Sequence, residues 1–276
     1  EIGADILYPN PGFPIYESVI KFSGAKPIPV PILEKNNFSF NADELLSLIT
    51  PATRLIILNF PANPTGGAAS RKEIDRFVEG IQARPDIAIL SDEIYSQIYY
   101  RGNEHVSLLS YPQIKDRLIL LDGWSKTYSM TGWRIGFSVW PDELIEGAIK
   151  LAVNCHSCVN TASQWGAIAA LKGPQKSVRE MVASFDERRQ FLVEALNKIP
   201  QITCKDPEGA FYVFPNIRET GRDSFTLQQE LLEEVGVATV AGTSFGKFGE
   251  GYLRISYANS IENIGFAVDR IKDYLS

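Results

Sequence analysis

The stretch Leu120-Leu-Asp-Gly-Trp-Ser-Lys-Thr-Tyr-Ser-Met-Thr-Gly-Trp-Arg-Ile-Gly-Phe137 decides how the chain reads. It sets one lysine, Lys126, just past an apolar strand, with Arg134 eight residues later. An amine beside a guanidinium suits an anionic ligand that carries a carbonyl. The amine condenses with an aldehyde, and the guanidinium clamps a phosphate in bidentate fashion. Taken alone, the segment reads as a solvated loop of small polar residues, because most lysines are solvated. Its neighbours along the chain change that reading.

Upstream, apolar strands alternate with amphipathic helices. Arg54–Asn59 reads as a buried strand that breaks at Pro61, Ile87–Leu90 as a second, Leu118–Leu121 as a third and Ile135–Val139 as a fourth. Asn41 caps a helix that runs to Ile49, with Glu44 three residues on, and Ser70 caps another that reaches about Arg84. Near-continuous apolar strands separated by such helices predict an α/β fold, with a mostly parallel sheet covered on both faces. The opening Tyr8–Pro14 reads as a stiff, proline-rich loop, Tyr16–Phe22 as a short helix and Pro27–Ile32 as an extended strand. After Pro141 helices dominate, at Glu143–Cys155, Ala162–Lys172 and Gln175–Lys198; in the last, Val178, Val182, Phe185, Leu192 and Leu196 form one stripe. Strands at Ala210–Phe214 and Tyr252–Ser256 and helices at Leu227–Val235 and Ile261–Leu275 complete a smaller α+β unit. The expected division is 1–175, a large cofactor-binding domain, and 176–276, a small C-terminal domain.

In open α/β sheets, ligands bind outside the carboxyl ends of the strands. The first of these strands is followed by Asn63-Pro-Thr-Gly66, the second by Asp92 and Tyr95, and the third by Ser125 and Lys126, with Arg134 beyond. Singly, Asn63 is a turn former, Asp92 a helix cap, Tyr95 a packing residue and Arg134 a surface charge. Together, an amide, an acid, a phenol, an amine and a guanidinium at one sheet edge fit pyridoxal phosphate. That cofactor needs a lysine for its Schiff base, an acid to hold the ring nitrogen protonated and a cation for its phosphate.

The totals are compatible. The 276 residues, 45% hydrophobic, can bury a large core, and a net charge of −6 argues against nucleic acid or an anionic membrane as partner. No apolar run approaches the roughly 20 residues of a membrane span. The start at Glu1 has no basic leader, so no signal peptide is expected. Three cysteines make no disulfide framework, which predicts a cytoplasmic location. Cys155-His-Ser-Cys158 has redox-like spacing but lacks a second ligand pair; helix-face packing is expected, and no metal site.

The set Asn63–Gly66, Ser91-Asp-Glu-Ile-Tyr95, Ser125-Lys126, Met130-Thr-Gly-Trp-Arg-Ile-Gly136 and Leu253-Arg-Ile-Ser256 resembles the class I/II, fold-type I pyridoxal-phosphate aminotransferases of aspartate-aminotransferase type. The resemblance implies that Lys126 is the Schiff-base lysine and moves the proton between Cα and C4′. It implies that Asp92 pairs with the pyridine nitrogen, that Tyr95 and Asn63 bond O3′, with Asn63 also near the substrate carboxylate, and that Arg134 binds the phosphate. Arg254 then clamps the substrate α-carboxylate, and Phe13 stands where the family stacks a ring on the cofactor. Where many members carry a phosphate-binding serine this chain has Gly123, which leaves Ser125 as the nearby hydroxyl. The resemblance also implies a further N-terminal portion, so the chain reads as shortened and its cofactor binding as weakened. An L-amino acid and a 2-oxo acid are the implied substrates, and a homodimer the implied assembly. Two rivals remain open at this point: a lyase or synthase on the same scaffold, and a non-catalytic cofactor-binding fragment or sensor.

Overall fold

A computed structural model describes residues 2–100, 102 and 104–276; Glu1 of the opening stretch lies outside them. The main sheet runs in the order β2-β1-β3-β4-β5-β6. Its strands are β1 (Asp5–Asn10), β2 (Lys26–Pro31), β3 (Thr53–Asn59), β4 (Ala88–Asp92), β5 (Leu118–Gly123) and β6 (Gly136–Val139). β1 to β5 are mutually parallel, whereas β6 runs antiparallel to β5, so the sheet is mostly parallel as expected.

β1 corrects the sequence reading, which took part of it, from Tyr8, for loop. Pro9 and Pro11 are turn formers by type, yet Pro9 pairs with Val30 of β2. It is tolerated there because pairing with β3 stops at Leu7, so no β3 carbonyl needs the missing N–H. β2 carries Pro27, Pro29 and Pro31, three residues of one parity on an edge strand. Alternate residues turn their amides to the same side, so these gaps in the ladder share one side of the strand, the pattern an edge tolerates.

Side chains alternate between the two faces, as a doubly covered sheet requires. Leu7, Ile56, Leu58 and Ile89 bury one face against helices α2 (Ala42–Ser47) and α3 (Arg71–Ile81). Tyr8 and Ile57 bury the other with Tyr16 and Ile20 of α1 (Ile15–Phe22). Both predicted caps form: Asn41 accepts from the Glu44 amide at 2.8 Å and Ser70 from the Glu73 amide at 3.2 Å.

Beyond β6 come α5 (Asp142–His156), α6 (Thr161–Lys172) and α7 (Lys176–Leu196). Helix-face packing of the cysteine pair is not what the fold gives: Cys155 and Cys158 are both exposed, and Cys158 lies past the end of α5. In α7 the buried stripe includes a position left out of the apolar count. Arg189 sits between Phe185 and Leu192, fully buried, paired with Asp186 at 2.6 Å and with Asp206, its guanidinium 5.1 Å from the Tyr100 ring centre. A second sheet, β7 (Tyr212–Val213), β9 (Leu253–Ser256) and β8 (Val240–Ala241), packs with α7, α8 (Ser224–Val235) and α9 (Ile261–Leu275). Among the described residues no helix is long and apolar enough to cross a membrane.

Phe77 of α3 is fully buried against the sheet and meets Phe40 edge-on at 6.2 Å. Phe77→Ala is expected to cost ~3–5 kcal/mol through lost transfer energy and the cavity left behind, measured by chemical denaturation.

Candidate active site

Register places the chemistry. Asn59, the last residue of β3, is the Cα partner of Asp92, and Asp92 is the partner of Leu121 in β5. β3 and β4 therefore end level, β5 runs two residues farther to Gly123, and the segments leaving their carboxyl ends converge on one place. Phe13, Asn63, Asp92, Tyr95, Ser125, Lys126, Arg134 and Arg254 all line one cavity of about 490 Å3. Every site residue expected from the sequence is thus brought to the same cavity.

Lys126 lies in α4 (Trp124–Thr127), a single helical turn, rather than in an open loop. Its half-buried Nζ sits 5.9 Å from the Tyr95 ring centre and 5.7 Å from that of Phe211. Burial lowers its pKa first, and the positive charges of Arg254 and Arg134 lower it further. Among the described residues no carboxylate acts on it to raise the value. The site thus shifts the amine toward its neutral, nucleophilic form.

Asp92 is in the opposite situation. Burial raises its pKa, while hydrogen bonds from Tyr16 and the Ile94 amide oppose the rise. Tyr16 Oη donates to Oδ2 at 2.5 Å and Ile94 N to Oδ1 at 3.2 Å. The Tyr95 and Tyr212 phenols are hydrogen-bonded at 3.0 Å, and burial, then Tyr212, pushes Tyr95 far above the ordinary phenol range.

Arg254 comes from β9 of the second sheet. Its Nη1 donates to Asn63 Oδ1 at 3.0 Å, and its guanidinium stacks 4.7 Å from Tyr212 and 4.8 Å from Phe245. Its Nε is buried with no hydrogen-bond partner among the described residues, a donor left over for something else. Arg134 has left-handed backbone (φ 52°), and its Nη1 donates to the Thr131 carbonyl at 2.9 Å. Phe13 is an exposed ring set edge-on to Tyr16 at 5.8 Å.

Gly123 has a structural reason to lack a side chain. An added Cβ would sit 2.9 Å from the Cα of Gly136, its partner in β6, so nothing larger fits without moving backbone. A larger cavity, about 1020 Å3, shares Arg134 but is lined by Trp133, His156, Cys158 and Asn160, with neither lysine nor acid. The lysine and the acid line the smaller one together.

Among the lining residues, Tyr16, Asn59 and Tyr212 escaped the sequence reading. Asn59 donates to the Asp92 carbonyl at 3.1 Å and accepts from the Asn63 amide at 3.3 Å, tying the two strand ends together. A polar residue closing the apolar run Leu55–Leu58 was its signal. Tyr16 could have been found from its i,i+4 spacing to Ile20, which puts the phenol on the buried face of α1.

The chain belongs to the aminotransferase class I and II family, whose model matches residues 1–271. It is similar to the aspartate aminotransferase of Pyrococcus abyssi, 38% identical over 275 residues, spanning 99% of this chain and 70% of the relative. It is also similar to aromatic-amino-acid aminotransferase 2 of Thermococcus litoralis, 37% identical over 98% of this chain and 70% of that protein. Among solved structures, the aromatic aminotransferase of Pyrococcus horikoshii superposes with a TM-score of 0.96 at 38% identity, over 100% of this chain and 74% of the other. The family depends on pyridoxal phosphate, and the donor set suits that group: an unpaired amine, a buried acid, two guanidinium groups and a free Nε.

Because both arginines depress Lys126, Arg134→Gln should raise its pKa. In a pH series of labelling with an amine-specific reagent, read by mass spectrometry, Lys126 should react at lower pH than an unperturbed lysine side chain. In the variant its profile should move to higher pH.

Proposed function

We propose that this pyridoxal-phosphate-dependent aminotransferase moves an amino group between an L-amino acid and a 2-oxo acid, with Lys126 as the residue that carries the cofactor. The observation that carries this reading is a half-buried lysine with no acid partner among the described residues, its pKa lowered by burial and by two arginines, in the same cavity as a buried aspartate. Pyridoxal phosphate, when bound, supplies an electron sink for the carbanion formed at the substrate Cα.

The chain's own groups divide the remaining work. Lys126, neutral for part of its time, takes the proton from the substrate Cα. Asp92 holds the proton on the cofactor's ring nitrogen by opposite charge. Tyr95 and Asn63 bond the ring oxygen, Arg134 and Ser125 bind the phosphate and Phe13 covers the ring. Arg254, with Asn63 beside it, takes the α-carboxylate through its planar fork of donors. Relatives named for aspartate and for aromatic amino acids support an acidic or aromatic amino donor.

We propose two units, 1–175 and 176–276, with the cavity drawing Arg254 and Tyr212 from the second. A cytoplasmic homodimer is the proposed working form, following the family resemblance. Sedimentation should then give a species of twice 30.7 kDa; a monomer at working concentrations overturns this part.

The direct test is a screen of amino donors against 2-oxoglutarate. Lys126→Ala should abolish the cofactor's protein-bound absorbance band and lower turnover by at least the ~10²–10⁴-fold that a positioned proton carrier contributes. Arg254→Gln should raise KM by ~10–100-fold, the effect of losing hydrogen bonds to a charged group. Turnover retained without Lys126 sinks the assignment.

A further inference from the structure

We infer that Tyr16 is the positioning residue for Asp92, holding its carboxylate aimed and ionised for the ring nitrogen of the cofactor. The inference rests on the role proposed for Asp92 and extends it to a residue that belongs to none of the strand ends.

The geometry is specific. Tyr16 lies in the first turn of α1, on the helix's buried face with Ile20, and packs with Tyr8 and Ile57 against the main sheet. Its ring is fixed by that packing and by the edge-on contact with Phe13. The phenol oxygen is thereby delivered into the cavity, 2.5 Å from Asp92 Oδ2. Oδ1 is held separately by the Ile94 amide at 3.2 Å. Each carboxylate oxygen has one donor and keeps lone-pair capacity for a further N–H.

The chemistry is dictated by the burial of the acid. An aspartate in a dry cavity drifts toward its neutral form, which pairs poorly with a pyridinium. A donated O–H favours the ionised form and opposes that drift. Tyr16 is suited to the task because burial, and then Asp92 itself, holds its own pKa well above the ordinary phenol value. It therefore keeps its proton and serves as a donor across the working range.

The competing explanation is that Tyr16 is only a core ring. Tyr16→Phe keeps the ring and removes the hydroxyl. Equilibrium binding is measured by absorbance titration with pyridoxal phosphate and with its 1-deaza analogue, whose ring carries C–H where the cofactor has nitrogen. The wild type should prefer pyridoxal phosphate. In Tyr16→Phe that preference should fall by ~10-fold or more, the size of a lost hydrogen bond to a charged group, with deaza binding little changed. In an Asp92→Asn background the same substitution should change neither affinity. Equal loss toward both ligands makes Tyr16 a packing residue and overturns the inference, as does an undiminished preference in Tyr16→Phe. If the wild type shows no preference and Asp92→Asn alters nothing, the reading of Asp92 itself fails, and the inference fails with it.

Discussion

The ladder that pairs Asn59 with Asp92 and Asp92 with Leu121 is the constraint on which everything else depends. Side chains in a sheet alternate faces, so a slip of one residue would turn Asp92 away from the cavity and place Ser91 or Glu93 in its stead. The slip is prevented by the apolar alternation of the same strands: Ile56, Leu58 and Ile89 on one face, Ile57 and Leu90 on the other. Packing energy spent on the core thus sets the position of an acid that contributes nothing to the core.

Within that frame the site sorts charge by burial. The amine is lowered and the acid raised, each toward its neutral form, because the cavity disfavours both ions. The two are then treated differently by their neighbours. Lys126 receives further like charge from two arginines, whereas Asp92 receives hydrogen-bond donors. One group is pushed further from its ion and the other is drawn back toward it, which separates the roles of nucleophile and anion within a single pocket.

Much of this was legible in the sequence, for identifiable reasons. Long apolar runs that end in Asn, Asp and Ser-Lys show both the strand and the edge where its ligand sits, and Asn41 and Ser70 announce their helices by cap chemistry. β1 was partly hidden because Pro9 and Pro11 are local turn signals, and only the neighbouring strands reveal that Pro9 stands where no amide is needed on the β3 side. The antiparallel sense of β6 was hidden because a short strand such as Gly136–Val139 carries no direction in its sequence. Arg189 was hidden because its burial depends on Asp206, seventeen residues away. Tyr212 was missed for the same reason, and for Tyr16 the i,i+4 spacing to Ile20 marks the buried face of its helix but not its distant partner Asp92.

Arg254 is also one of the ties between the two sheets: its bond to Asn63 joins β9 to the loop after β3, as the Tyr95–Tyr212 bond joins β7 to the segment after β4. Nη1 gives Asn63 only one of its two N–H groups, and Nε has no partner among the described residues. The guanidinium therefore holds the two sheets together with part of its donor fork and keeps the rest unused. One side chain is thus at once a structural strut and a reserve of positively charged hydrogen-bond donors.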